Sequence, residues 1–175
     1  MSRKILIKKF FPKQDFKYSS ILVTLLINKI LKKGKKQLAQ KIVYKAFNYI
    51  FQQTNKNPLL IFEIALRNIS PQIDLKTQKV KNIISKVPIL LNYFTSINIA
   101  LKWLIHLLKK KSSQKFYIRL GKEVLDASQN MGQLIKKKEE LHKNTELHKL
   151  FNVNVEEEII DQNQLISSED NLEHY

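Results

Sequence analysis

Cysteine is absent from the chain, and glycine occurs three times in 175 residues. Without thiols there are no disulfides and no thiolate zinc sites. With so few glycines there is no loop to cradle a nucleotide phosphate. The "LKKGKKQ" stretch around Gly34 lacks the upstream glycine and trailing hydroxyl of a P-loop. The four histidines, His106, His142, His148 and His174, show no metal-ligand spacing. No metal and no cofactor is expected. Apolar runs such as "NPLLIF" and "ILLNYF" are far shorter than the ~20 residues that span a bilayer, so no membrane insertion is expected. The start, "MSRKILIKKFFPK", is basic but has no signal-peptide apolar core. Arginine is scarce too: Arg3, Arg67 and Arg119 are the only ones among 31 basic residues.

Acidic residues are the most informative shortage. The net charge is +16. Seven of the 15 acids (Glu156, Glu157, Glu158, Asp161, Glu169, Asp170 and Glu173) fall in residues 151–175, which hold no Lys or Arg. The first 150 residues therefore carry eight acids against 31 basic residues. Such a polycation repels itself, and its usual use is a polyanionic partner. Residues 152–175 read as an acidic, mostly disordered tail, and residues 1–18 as a basic N-terminal extension.

The hydrophobic fraction of 43% supports a core, and the length favours one domain, placed at residues 19–151. Residues 20–31, "SILVTLLINKIL", form a buried helix that Gly34 stops. Leu38, Ala39, Ile42, Val43, Ala46, Phe47 and Ile50 form the apolar stripe of a second helix. A third opens with Asn57 as N-cap and Pro58 at its first position, and Pro71 discourages its continuation. Its stripe is Leu59, Phe62, Ala65, Leu66 and Ile69. The pattern then changes to period two. "IDLKTQKV" and "IISKVPIL" read as two strands turning at Lys81-Asn82, a ribbon arm over residues 73–91. Helical spacing resumes in Ile97, Ala100, Leu101, Leu104 and Leu108. It continues in Phe116, Leu120, Val124 and Ala127, stopped near Gly132, and in Leu134, Leu141 and Leu150. The predicted fold is mainly α: a six-helix, bundle-like body with one two-stranded β-ribbon between the third and fourth helices.

No catalytic constellation appears, and the chain does not read as an enzyme. Glu139 and Glu140 are sequence neighbours, so on a helix they diverge by ~100° and cannot act as an acid–base pair. Basic clusters are the stronger lead. They are Lys8-Lys9; Lys32, Lys33, Lys35 and Lys36; the ribbon residues Lys76, Lys79, Lys81 and Lys86; Lys109, Lys110 and Lys111 with Lys115; and Lys136, Lys137 and Lys138. Together they suit phosphate neutralisation, which positions a protein on nucleic acid without reading sequence. Phe47, Phe62, Trp103 and Phe116 fall on apolar faces and belong to the core. Tyr93 and Phe94 either pack the base of the arm or stack on a nucleotide. A membrane-surface reading is weaker, because the apolar stripes are numerous enough to bury one another.

Several motifs, in order, resemble the S-seven family of small-subunit ribosomal proteins of bacteria and organelles. They are "LLINKILKKGKKQLAQKIVYKA", "FEIALRNISPQIDLKTQKV", "KVPILL", Ala100 with Trp103, "RLGKEVLDASQNMG" and "KKKEELHK", spread over residues 10–151. The resemblance implies a structural protein that binds small-subunit rRNA and nucleates assembly of the head. It implies a place at the mRNA exit channel and the exit-site tRNA, beside the eleventh small-subunit protein, with no homo-oligomer. The rRNA-facing residues are then the lysines of the body clusters with Arg119. Lys76, Lys79, Lys81, Asn82, Lys86, His142 and Lys143 face mRNA and exit-site tRNA. Two departures stand out. Lys81-Asn82 replaces the family's Gly-Gly ribbon tip, and Asn92, Thr95 and Ser96 replace arginines just after the ribbon. The alternative is a non-ribosomal helical protein that binds nucleic acid. The Lys-, Ile- and Asn-rich composition suggests an A+T-rich genome and favours a mitochondrial ribosome in the matrix, organelle-encoded, over a plastid or bacterial cytoplasm.

Overall fold

The structure is a computed structural model that describes residues 12–80, 83–110 and 114–148, with side chains omitted for 78–80 and 83–85. The elements run α1 (Ile21–Ile30), α2 (Lys36–Thr54), α3 (Pro58–Ile69), β1 (Ile73–Val80), β2 (Ile83–Leu90), α4 (Tyr93–Lys110) and α5 (Phe116–Ser128). A sixth helix, α6, covers residues 133–148. The fold is mainly helical, with a two-stranded antiparallel sheet between the third and fourth helices. Lys8, Lys9, Lys81, Asn82, Lys111, Leu150 and the acidic tail lie outside the described residues.

α1 is apolar nearly all round, and five consecutive residues from Val23 to Ile27 are buried. That is the pattern of a helix enclosed by its neighbours. α2 buries Ala39, Val43, Ala46, Phe47 and Ile50. Leu38, read as part of that stripe, is instead 54% exposed. It lies ~100° around the helix from Ala39, at the edge of the buried face. α3 starts as its sequence predicts: Asn57 Oδ1 accepts from the Leu59 amide at 3.0 Å, with Pro58 next. Phe47 and Phe62 meet at 5.5 Å between ring centroids and join α2 to α3. α4 buries Ile97, Ala100, Leu101, Leu104 and Leu108, and α5 buries Leu120, Val124 and Ala127.

Two helix ends differ from the sequence reading. α1 ends at Ile30 and is followed by extended Leu31, so Gly34 is not its direct stop. The chain reverses through two left-handed residues, Lys33 (φ +49°) and Gly34 (φ +72°). α5 ends at Ser128, short of Gly132. Its C-cap is Gln129, followed by left-handed Asn130 at φ +58°. The Met131 amide donates to Asp126 O at 2.9 Å and the Asn130 amide to Ala127 O at 3.2 Å. This is a Schellman closure built on asparagine instead of glycine.

The ribbon pairs Ile73 with Leu90 through to Val80 with Ile83, leaving a two-residue tip. Eight residues of strand extend ~26 Å. A two-stranded ribbon is marginal alone, and its base is tied to the body. The Leu91 amide donates to Gln72 O at 2.9 Å, and buried Ser96 Oγ donates to Pro71 O. Ser96 thereby anchors the arm.

Asp15 is buried, ahead of α1. It accepts from Tyr44 Oη at 2.9 and 3.0 Å and from the amides of Lys17 and Tyr18. Tyr18 packs edge-on to Phe47 with ring centroids 5.0 Å apart. The segment before α1 is thereby stapled to α2.

Candidate nucleic-acid interface

Two clusters remote in sequence meet at one end of the body. The α1–α2 turn brings Lys32 and Lys35 to a pocket of about 220 Å³, and the end of α4 brings Lys109 to the same rim. Lys29 completes the ring. The cluster pattern misses Lys29 because it stands alone in an apolar run. The only signal is that a cation interrupts α1 where its burial ends. Leu38, Ile42 and Phe116 are among the apolar lining. Lys33, Lys36, Lys110 and Lys115 are exposed nearby in sequence. α1 and α4 both end here, and their last turns carry Lys29 and, on α4, Lys109 and Lys110. Cations there face the negative ends of the helix dipoles, which offsets part of their mutual repulsion.

Arg119 is held inward. Its Nη1 donates to Leu108 O at 2.7 Å, its guanidinium lies 5.6 Å from the Phe116 ring centroid, and its Nε is buried without a partner in the structure. It closes a carbonyl near the end of α4, which leaves the surrounding lysines as the exposed charge.

The lysines of α6 divide. Lys136 is exposed. Lys137 Nζ sits 5.0 Å from the Trp103 ring centroid. Trp103 is half-buried against the core, so its ring both packs and receives a cation. Lys138 Nζ donates to Asn68 O at 2.8 Å and ties α6 to the last turn of α3. His142 Nε2 is buried without a partner, and Lys143 is exposed. Among these residues, Lys136 and Lys143 are the ones with freely exposed charge.

On the arm, Lys76 and Lys86 are exposed. Lys76 pairs with Val87 and Lys86 with Thr77, so the two lysines stand on opposite faces of the ribbon. Lys79 pairs with Ile84 through the backbone. Tyr93 is 75% exposed and lines an open pocket at the arm's base with Arg67, Leu90 and Lys138.

Asp15 and Glu123 are buried. Burial, and then hydrogen bonding to Asp15, pushes the Tyr44 hydroxyl up to about 12, and burial also raises Tyr18. Lys17 Nζ lies 5.4 and 5.2 Å from the Tyr18 and Tyr44 rings.

A family model described as ribosomal protein S7p/S5e matches residues 1–149. The chain belongs to that family. It is 43% identical over 143 residues to small ribosomal subunit protein uS7c of Trieres chinensis, covering 82% of this chain and 90% of that one. Protein uS7 of Mycoplasma mycoides subsp. mycoides SC is 41% identical over 134 residues, or 77% of this chain and 86% of its own. Protein uS7c of Bigelowiella natans is 35% identical over 151 residues, or 85% and 95%. As a member of the family the chain is a structural, non-enzymatic constituent of the small ribosomal subunit. Its relatives are of organellar and bacterial type. Among the described residues, no helix is long and apolar enough to cross a membrane.

Proposed function

We propose that this protein binds the head domain of small-subunit rRNA through the basic pole and nucleates assembly there. The observation that carries the reading is the convergence of Lys29, Lys32, Lys35 and Lys109 from two remote stretches onto one surface. Lysines gathered without local acids release counterions when they meet phosphates, and they hold register without reading bases. The arm residues assigned to mRNA and exit-site tRNA are Lys76, Lys79, Lys81, Asn82 and Lys86. Lys143 is assigned to the same contact with half-buried His142 beside it, and the eleventh small-subunit protein is the neighbour across that cleft. Arg119 and Lys138 support the RNA-facing surface through their ties to helix carbonyls, and Lys137 stands on it over Trp103.

The compartment is an organelle or a bacterial cytoplasm, since the uS7c relatives are organellar and the uS7 relatives bacterial. Composition favours the mitochondrion, whereas the two uS7c relatives favour the plastid. Sedimentation of a native lysate at moderate salt tests both readings, with this chain followed by mass spectrometry. Co-migration with small subunits, kept through a salt wash and lost on ribonuclease treatment, is the expected result, and the companion proteins identify the organelle. Migration as free protein rejects the ribosomal placement.

A further inference from the structure

The acidic tail has no place in the function so far. It lies past residue 149, where the family match ends. The lysine-ringed pocket also has a feature that phosphate binding leaves unused: its floor is apolar. Leu38 exposes 54% of its surface there, beside half-buried Ile42 and Phe116. At about 220 Å³ the pocket is smaller than the ~300–1,000 Å³ of sites that take small molecules or cofactors. It suits aliphatic side chains better than a nucleotide.

We propose that the tail segment "EEEIID", residues 156–161, docks in this pocket, with Ile159 and Ile160 on its apolar floor and the four acids on its four lysines. The charges match in number: Glu156, Glu157, Glu158 and Asp161 against Lys29, Lys32, Lys35 and Lys109. No other stretch of the chain has three consecutive acids.

Reach permits it. α6 touches α4 where Lys137 meets Trp103. Residue 148 lies ~16 Å along α6 from Lys137, and Lys109 lies ~9 Å along α4 from Trp103. Adding the ~8–10 Å between packed helix axes, the ends are at most ~35 Å apart even if the two helices diverge, within the ~36 Å that residues 149–159 span when extended. The docked tail covers lysines that the proposed function gives to rRNA. It therefore shields this pole before assembly and leaves when RNA arrives. That consequence rests on the rRNA reading, but docking itself does not.

The absence of cysteine makes the test clean, because Gln162→Cys in the full chain accepts a single spin label. The label is expected to abolish the methyl signals of Leu38, Ile42 and Ile105 while sparing Leu59 and Ile61 at the far end of α2 and α3. Glu156→Gln, Glu157→Gln, Glu158→Gln and Asp161→Asn together should restore them. So should Lys32→Gln with Lys35→Gln and Lys109→Gln, all surface changes that leave the core alone. Uniform attenuation overturns the proposal. So does equal attenuation by a scrambled tail of the same composition, which would indicate only a diffuse field. Polyuridylate is expected to bind and restore the signals. Binding without recovery overturns the shared site, whereas failure to bind overturns the nucleic-acid role of this pole and leaves the docking standing.

Discussion

Arg119 Nη1 donates to the carbonyl of Leu108 at 2.7 Å, so a residue in the first turn of α5 closes the last turns of α4. The carbonyls at a helix end have no partner within the helix. A charged donor there is worth ~1.5–3 kcal/mol. Arg119→Gln is expected to lower unfolding free energy by about 1–3 kcal/mol in urea titration. RNA affinity measured where the variant is fully folded should change little. A large loss of affinity with unchanged stability would return Arg119 to the RNA surface.

Gly121 lies in α5 against α2. A Cβ placed there would come 2.5 Å from Tyr49 Cδ1 and 3.5 Å from Ala46 O. In a free helix Gly→Ala gains roughly 1 kcal/mol. Here the α2–α5 contact must open, and overpacking of that kind costs about 1–3 kcal/mol. Gly121→Ala should therefore lower the midpoint of thermal unfolding, and a raised midpoint would show that Tyr49 swings aside freely.

The Tyr44 hydroxyl, pushed up to about 12 by burial and by Asp15, has a pH signature. A phenol whose folded value exceeds the unfolded value near 10 contributes stability that is complete below pH ~10 and lost as pH rises toward about 12. Phenolate absorbance should show a tyrosine ionising well above the others. Tyr44→Phe should remove that step and loosen the segment around Asp15, read as faster amide exchange at Lys17 and Tyr18. Titration of every tyrosine near 10 would refute the Asp15 staple.

Lys35→Glu with Lys36→Glu tests the basic pole. For every phosphate that a lysine no longer neutralises, the slope of log affinity against log salt becomes shallower by about 0.7–0.9. Binding of a head-domain rRNA transcript should weaken, and its salt dependence should flatten. An unchanged slope would make these lysines ordinary surface.

The arm separates from the body in the same assay. Replacing residues 76–87 with an Asn-Gly turn keeps the Leu75–Pro88 pair and the tie between Leu91 and Gln72. Folding and rRNA affinity should persist, while exit-site tRNA occupancy in reconstituted subunits changes. Loss of rRNA assembly would show that the arm binds rRNA itself.

Local chemistry made much of this architecture readable from the sequence. The apolar stripes of α3, α4 and α5, the Asn57-Pro58 helix start and the period-two ribbon with its tip at residues 81–82 follow from side-chain periodicity and backbone preference, which act over a few residues. The family was legible for the same reason, because its motifs are local and ordered. Tertiary structure decided what depends on remote neighbours. Lys138 and Arg119 look like their cationic neighbours in sequence, yet each meets a carbonyl on another helix. Leu38 belongs to the stripe by spacing but lies at its edge, where the ends of α1 and α4 leave a pocket. Charge and periodicity identified the lysines and the apolar residues. Only packing α1 and α2 against α4 and α5 set Lys29, Lys32 and Lys35 beside Lys109, because that contact joins segments over 70 residues apart.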